Sequence, residues 1–229
     1  MGAARKTLVV FDVDGTLLDS AHAIVAAMTE AYVSHGLTAP SRAAIVGVVG
    51  LSVGEAVAAL SHEQPDHPLG SIGTAFKTSF SRGLAEAPHQ SGLYDGAAEI
   101  IALLAAREDL LLGLATGNSR RGVERFIGQF GLEGVFATTQ TADDAPSKPH
   151  PAMLHQAAVE AAVAADDVVM IGDTSFDMAM ARNAGARAIG VSWGYHAPEQ
   201  LLAAGAERVL SSFAELVEAL GLPDPAEAA

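Results

Sequence analysis

The chain has no cysteine, and aromatic residues make up only 5% of its 229 residues. Without a thiol, the protein forms no disulfide and uses no cysteine as a nucleophile or metal ligand. Basic residues are also scarce: the chain has 13 lysines and arginines but 27 aspartates and glutamates, which gives a net charge of −14. This balance argues against nucleic acid or an anionic membrane surface as a partner. A phosphate-bearing ligand would therefore need a local cation or a metal.

Long apolar segments are missing as well. No run approaches the ~18 uninterrupted apolar residues that a membrane-spanning helix needs. The N-terminal MGAARKTLVVFD lacks the cleavage site of a secretory signal peptide. We therefore expect a cytoplasmic protein. Half of the residues are nevertheless apolar, which is enough to bury one large core, or a core domain with a smaller insert.

Short β-type runs alternate with alanine-rich segments of helical spacing through most of the chain. The predicted strands cover 7–12, 110–116, 134–139, 167–173, 186–192 and 207–211. The predicted helices lie near 95–107, 119–130, 151–163, 176–184, 198–204 and 212–220. Strands that are apolar throughout and alternate with helices are typical of a parallel sheet covered on both faces. We predict an α/β fold with an open parallel-sheet, Rossmann-like core.

One stretch departs from this alternation. Between residue 19 and about residue 92 no strand pattern occurs, and the helical segments lie near 20–35, 41–47, 53–61 and 71–84. We interpret residues 19–91 as a helical cap domain inserted after the first strand. The core domain would then comprise 1–18 and 92–229. Linkers near 16–20 and 88–94 would join the two.

Polar residues follow several predicted strands, at the sheet edge where open parallel sheets bind ligands. These residues are Asp12 and Asp14 in VVFDVDGTLLDS, Thr116, Gly117 and Asn118 in ATGN, Lys148 in APSKPHP, and Asp173 and Asp177 in IGDTSFD. Three strand ends and one loop would thus bring carboxylates, a hydroxyl and an ammonium to one edge. Such a convergence of polar residues at one edge is much harder to obtain by chance than any one of them alone.

Three acidic side chains packed at one edge would repel each other unless a cation lay between them. Asp12, Asp14 and Asp173 offer oxygen ligands only, which suit a hard divalent ion such as Mg²⁺. Because Mg²⁺ is often held by one or two carboxylates together with a substrate phosphate, an acidic site of this kind can accept an anion. Lys148, the Thr116 hydroxyl and backbone N–H groups of the glycine turn would hold the phosphoryl oxygens.

The first two aspartates can divide the chemistry of phosphoryl transfer between them. Asp12 would act as a nucleophile and form an aspartyl-phosphate. Asp14 lies two residues further on, so its side chain can face the leaving group. It would protonate that oxygen and then activate water to hydrolyse the intermediate.

In this order and spacing, FDVDGTLLDS, ATGN, SKPHP and IGDTSFD resemble the haloacid dehalogenase-like hydrolase superfamily over essentially the whole chain. The helical insert after the first motif is similar to the cap of the phosphoglycolate phosphatase-like subgroup. The resemblance implies that Asp12 is the nucleophile, Asp14 the acid and base, Thr116 and Lys148 phosphate binders, and Asp173 the Mg²⁺ carboxylate. It also implies that the main-chain carbonyl of Asp14 ligates the metal and that Asp177 supports Lys148 or metal-bound water. Gly117 stands where many relatives have asparagine, and Asn118 follows it.

The leading hypothesis is a Mg²⁺-dependent phosphatase acting on a small phosphate ester, with phosphoglycolate as the compound suggested by the resemblance. A phosphomutase similar to β-phosphoglucomutase would use the same nucleophile. A dehalogenase is disfavoured, since relatives with that activity lack the aspartate found here as Asp14. A receiver-type phospho-aspartate switch has similar groups, but it places its nucleophile on a later strand and lacks the insert. No motif distinguishes a monomer from a homodimer.

Residues outside the four motifs are candidates for contacting the rest of the substrate. In the insert they are Arg42, Lys77, Arg82 and the turn 47–54. Trp193 and Tyr195 follow a predicted strand and could line the rim of the site or pack beneath it.

Overall fold

The computed structural model describes residues 6–64, 66–86 and 91–222. Its strands are β1 (Thr7–Phe11), β2 (Leu18–Asp19), β3 (Gly92–Leu93), β4 (Leu110–Ala115), β5 (Thr138–Gln140), β6 (Val168–Gly172), β7 (Arg187–Val191) and β8 (Arg208–Leu210). Its helices are α1 (Ala21–Val33), α2 (Arg42–Val46), α3 (Val53–Leu60), α4 (Leu69–Glu86), α5 (Ala97–Ala105), α6 (Arg120–Phe130), α7 (Ala152–Glu160), α8 (Ser175–Ala184), α9 (Pro198–Ala204) and α10 (Leu216–Ala219). Among these helices, none is long and apolar enough to cross a membrane.

Six strands form one parallel sheet in the order β5-β4-β1-β6-β7-β8, which confirms the predicted fold class. Successive side chains of β1 point to opposite sides of the sheet, and helices cover both sides, so both faces of β1 are buried. Val9 and Phe11 pack in the cluster that includes residues of α5 and α6. Leu8 and Val10 pack with residues of α7 and α8 on the other face. This double burial explains the continuous apolar run in the sequence of β1.

The strand order determines where the polar residues meet. β1 lies between β4 and β6, so the carboxyl ends of these strands are neighbours. After β5 the chain crosses to the other side of β1 and continues with β6. Such a change of direction in an open sheet creates the crevice in which α/β proteins bind ligands.

One predicted strand is misplaced. Residues 134–139 were expected to be extended, but β5 is Thr138–Gln140 and the residues before it form a turn. Gly134 has φ +77°, a left-handed conformation that ends any extended run. The apolar Val135 and Phe136 pack against the core from this turn. Their apolar character therefore reflects loop packing, although the pattern resembles a strand.

Helices α1–α4 form a buried cluster of their own, separate from the two clusters beside the sheet. Below them, β2 and β3 pair as a two-residue antiparallel ribbon that the sequence did not predict. Part of the predicted linker 88–94 lies outside the described residues. The division into a core (1–18 and 92–229) and a cap (19–91) stays a prediction.

Candidate active site

Asp12 follows β1 directly and is held by the sheet. Its N–H donates to the carbonyl of Ile171 at 2.9 Å, which continues the pairing of β1 with β6. The next turn requires glycine, since Gly15 has φ +93° and a Cβ there would lie 2.3 Å from Asp173 Oδ2. The same Cβ would lie 2.5 Å from the ring of Tyr195. The turn thus brings the first and last motifs into contact.

Lys148 lies before α7 with its side chain fully buried. Its Nζ is 2.9 Å from Asp12 Oδ1 and 2.6 Å from Asp177 Oδ1. The other oxygen of Asp177 accepts hydrogen bonds from the N–H and hydroxyl of Thr174, at 3.1 and 2.6 Å, as part of the capping box that begins α8. Asp177 is therefore fixed by the helix, and it in turn orients Lys148 toward Asp12.

Three carboxylates meet at this edge: oxygens of Asp12, Asp173 and Asp177 all lie within 4.8 Å of one another and are buried. Asp173 accepts hydrogen bonds from the Thr16 hydroxyl (2.8 Å) and the N–H of Tyr195 (2.9 Å). Neither oxygen of Asp12 accepts a well-aligned hydrogen bond from any group that the structure describes. Buried carboxylate oxygens without partners are costly, and the single ammonium of Lys148 does not balance three negative charges. This oxygen-only donor set fits a divalent cation.

The carboxylate of Asp14 points elsewhere. Oδ1 accepts a hydrogen bond from Ser20 Oγ at 2.6 Å, and Oδ2 accepts one from Asn118 Nδ2 at 3.3 Å. Asp14 does not belong to the close group of three carboxylates. The structure thus separates the Asp14 carboxylate from the other three, and metal binding by its main-chain carbonyl, which the resemblance implied, stays a prediction. The Asp14 side chain borders the cavity and is held there by these two hydrogen bonds.

Burial dominates the ionisation of the site. It raises the pKa of Asp12 to about 7, although the Lys148 ammonium acts in the opposite direction. Burial also raises the pKa of Asp14 and Asp173. For Lys148, burial lowers the pKa, but the charges of Asp12 and Asp177 outweigh it and the net pKa is raised. Lys148 is thus a permanent cation, whereas Asp14 can hold a proton at a pH where an ordinary carboxyl would lose it.

The phosphate loop predicted at 116–118 follows β4. The Thr116 hydroxyl accepts a hydrogen bond from the N–H of Asn118 at 3.1 Å, and Ser119 caps the start of α6. Gly117 lies directly beneath the insert, because a Cβ there would be 2.5 Å from the carbonyl oxygen of Leu51 and 2.7 Å from that of Gly50. Absence of a side chain at Gly117 is therefore what allows the two segments to touch.

A cavity of about 470 Å³ lies between the sheet edge and helices α1–α4. Asp12, Asp14 and the loop 116–118 form one side of it. On the opposite side it is lined by apolar residues of the insert, chiefly Ile24, Met28, Ile45, Val49, Val53 and Phe76. Five of the eight residues predicted from the motifs line the cavity. The other three lie behind Asp12: Lys148 pairs with Asp12 and Asp177, and Asp173 belongs to the same carboxylate group.

The residues outside the motifs divide into two groups. The turn 47–54 and Lys77 contribute to the cavity lining, whereas Arg42 does not. Arg82 pairs with Glu30 at 2.5 Å. Trp193 is a packing residue whose ring contacts Phe213, with 4.6 Å between centroids.

Sequence reasoning missed three residues near the cavity. Ser20, the last residue of the first motif, donates a hydrogen bond to Asp14. The Ser20 Oγ also lies 3.1 Å from the hydroxyl of Tyr195, which the sequence analysis had named as a candidate. Arg121 and Arg125 line the cavity from α6. Their i,i+4 spacing immediately after ATGN is a signal that could have placed them on one helix face above the site.

Comparison with known proteins identifies relatives of this chain. Residues 9–191 match the model of the haloacid dehalogenase-like hydrolases. A protein of Dickeya dadantii named probable phosphatase IndB is 33% identical over 219 residues, covering 93% of each chain. The phosphoglycolate phosphatase of Rhodospirillum rubrum is 31% identical over 226 residues, covering 95% of this chain and 92% of the relative. The crystal structure of a hydrolase from Pseudomonas syringae superposes with a TM-score of 0.84 at 27% identity, covering 94% of this chain and 98% of that one.

These matches define the protein as an enzyme, a phosphoric monoester hydrolase, as the motifs predicted. The chain belongs to the haloacid dehalogenase-like hydrolase family, in the phosphoglycolate phosphatase-like subgroup.

Proposed function

We propose that this enzyme hydrolyses a small phosphate ester through an aspartyl-phosphate formed on Asp12, with Mg²⁺ as its cofactor. One observation carries the proposal. Asp12 is buried at the sheet edge and borders the cavity, with Lys148 Nζ at 2.9 Å and no well-aligned hydrogen bond from the described residues to either oxygen. A buried carboxylate whose ion-pair partner is a fixed ammonium, and which borders the cavity, is suited to attack a phosphorus atom.

In the first step, an Asp12 oxygen attacks the phosphoryl group and the ester oxygen leaves. Lys148 and the Thr116 hydroxyl bind the phosphoryl oxygens and keep them in line with Asp12. Asp14 donates its proton to the leaving oxygen, a role that its raised pKa supports. Ser20 and Asn118 hold the Asp14 carboxyl by hydrogen bonds.

In the second step, water attacks the phosphorus of the aspartyl-phosphate, and the Asp14 carboxylate takes up its proton. Inorganic phosphate leaves, and Asp12 is regenerated. Asp12, Asp173 and the main-chain carbonyl of Asp14 would hold the Mg²⁺. When bound, the ion supplies positive charge that offsets the phosphoryl oxygens and the clustered carboxylates. Asp177 keeps Lys148 in place through both steps.

The relatives named as phosphoglycolate phosphatases make phosphoglycolate the first substrate to test. The assay is release of inorganic phosphate from a panel of phosphorylated metabolites, with Mg²⁺ or with EDTA. We expect activity with Mg²⁺ only, and a loss of at least about 10³-fold in Asp12→Asn. Asp95→Asn, which changes an exposed aspartate outside the cavity lining, serves as the matched control and keeps wild-type activity.

Full activity of Asp12→Asn would overturn the assignment of the nucleophile. Activity in EDTA equal to that in Mg²⁺ would overturn the cofactor. Conversion of a sugar phosphate to its isomer without release of phosphate would identify a phosphomutase.

A further inference from the structure

The cavity carries positive charge beyond the cation that serves phosphoryl transfer. Arg121 and Arg125 line it from α6, and Lys77 lines it from α4. The two arginines are four residues apart and therefore lie on one face of their helix. The transferred phosphoryl group already has a dedicated cation, since Lys148 is buried against Asp12. The three outer cations are available for a different group on the substrate.

These cations also lack partners among the residues that the structure describes. Several other arginines of the described chain pair with carboxylates, as Arg82 does with Glu30, Arg107 with Asp109, Arg120 with Asp144, Arg187 with Glu207 and Arg208 with Glu218. Within the described ranges, Arg121, Arg125 and Lys77 make no ion pair or side-chain hydrogen bond. The contrast is clearest on α6, where Arg120 is paired and its neighbour Arg121 is not. In a chain with 27 acidic residues, three unpaired cations around one cavity form a binding surface for an anion.

The insert contributes a mostly apolar lining, and the cavity is too large for a small acid. Ten apolar side chains of the insert line the cavity, and Ile24, Met28, Ile45 and Phe76 among them also belong to the buried cluster of α1–α4. A volume of about 470 Å³ falls within the ~300–1,000 Å³ range of pockets that enclose drug-sized ligands. A two-carbon leaving group such as glycolate would leave most of this space to water, in contact with apolar walls.

We propose that this site selects phosphate monoesters whose leaving group has an apolar body, at least one ring in size, and carries a second anionic group at its far end. The proposal rests on the proposed phosphatase function and specifies its substrate class. The apolar side chains of the insert would surround the body of the leaving group. Arg125 and Arg121, with Lys77 from α4, would bind the distal anion.

The test compares three esters with the Mg²⁺-loaded enzyme: phosphoglycolate, phenethyl phosphate, and phenethyl phosphate with a para-carboxylate. We expect kcat/KM to be lowest for phosphoglycolate. We expect the carboxylated ester to exceed the uncharged one by about tenfold, as a charge-assisted contact to a half-buried arginine provides. A matched ester with a distal phosphonate, compared with the carboxylate, identifies which anion the cations prefer.

Variants then assign the preference to the arginines. Arg125→Gln lowers the ratio of kcat/KM between the carboxylated and uncharged esters severalfold, and the double variant with Arg121→Gln brings it close to one. The control is Arg42→Gln, which removes an exposed arginine outside the cavity lining and keeps the wild-type ratio.

The outcomes separate this inference from the proposed function. Hydrolysis of all three esters with phosphoglycolate as the best substrate would overturn the inference and leave the phosphatase proposal standing. A distal-anion preference that survives in the double variant would overturn the role of the arginines. Failure of every ester to be cleaved, with Asp12→Asn equal to wild type, would instead overturn the proposed function itself.

Discussion

Replacing Gly117 by alanine tests how closely the insert must approach the phosphate loop. A Cβ at this position would lie 2.5 Å from the carbonyl oxygen of Leu51 and 2.7 Å from that of Gly50. Both are main-chain atoms, so no side-chain rotation relieves the clash. The φ angle of Gly117 is not positive, so alanine adds no strain from a left-handed backbone conformation. The turn of the insert must therefore retreat to restore ordinary contact near 3.4 Å.

That retreat amounts to about 1 Å, a displacement that can reduce the rate of a positioned reaction by ~10²-fold. We expect kcat/KM of Gly117→Ala to fall by about 10- to 100-fold for esters that fill the cavity. The melting temperature should change by less than about 4 °C, because the buried clusters keep their packing. Steady-state kinetics and thermal unfolding measure the two effects separately.

Gly54→Ala is the matched control, since a Cβ at Gly54 meets nothing within 4 Å and Gly54 lies in the same insert at the start of α3. It should keep wild-type kinetics. If Gly117→Ala also kept wild-type kcat/KM, the contact between the turn and the phosphate loop would have no part in catalysis, and the reasoning would fail.

Three further predictions concern the charges of the site. Lys148→Met leaves Asp12 and Asp177 buried without their cation. Urea unfolding at pH 8 without metal should therefore show a free energy of unfolding about 3–5 kcal/mol lower than that of the wild type. An unchanged free energy would contradict the ion-pair account. Because the pKa of Asp12 rises from 3.8 to about 7 on folding, the folded protein binds a proton that the unfolded chain has lost. The Asp12 contribution to metal-free stability should therefore fall as the pH rises from about 4 to 7, by at most about 1.4 kcal/mol per pH unit, and Asp12→Asn should remove this part of the slope. Ser20→Ala removes a hydrogen bond that lowers the pKa of Asp14. The pKa of Asp14 should therefore rise, and the alkaline limb of the pH profile of kcat/KM should move to higher pH. An unmoved limb would exclude Asp14 as the general acid.

Much of the fold and most of the candidate site could be predicted from the sequence. The period of apolar residues indicated the parallel strands, and the four ordered motifs placed their polar residues at one edge. This worked because strand ends in a parallel sheet share an edge, so a residue such as Asp173 needs only its strand to be located. The sequence also brought Lys148 to this edge, but its ion pair with Asp12 was found only in the structure.

Other features depend on tertiary contacts that no local pattern encodes. The apolar Val135 and Phe136 resemble a strand, yet they pack from a turn. The two-residue pairing of β2 with β3 is too short to leave a period. The clearance under Gly117 depends on where the insert lies. That Arg121 and Arg125 have no partner among the described residues is visible only once the described carboxylates have been placed.

The most direct test of the account locates the phosphoryl group on the enzyme. Asp14→Asn removes the proposed general base, while an aryl phosphate with a good leaving group does not need its proton. After rapid mixing with this ester and Mg²⁺ followed by acid quench, mass spectrometry should find the phosphoryl group on Asp12, accumulating toward one per chain. Asp12→Asn should carry none. Phosphorylation of another residue, or turnover by the wild-type enzyme with no phosphorylated Asp12 at any time, would contradict the central claim.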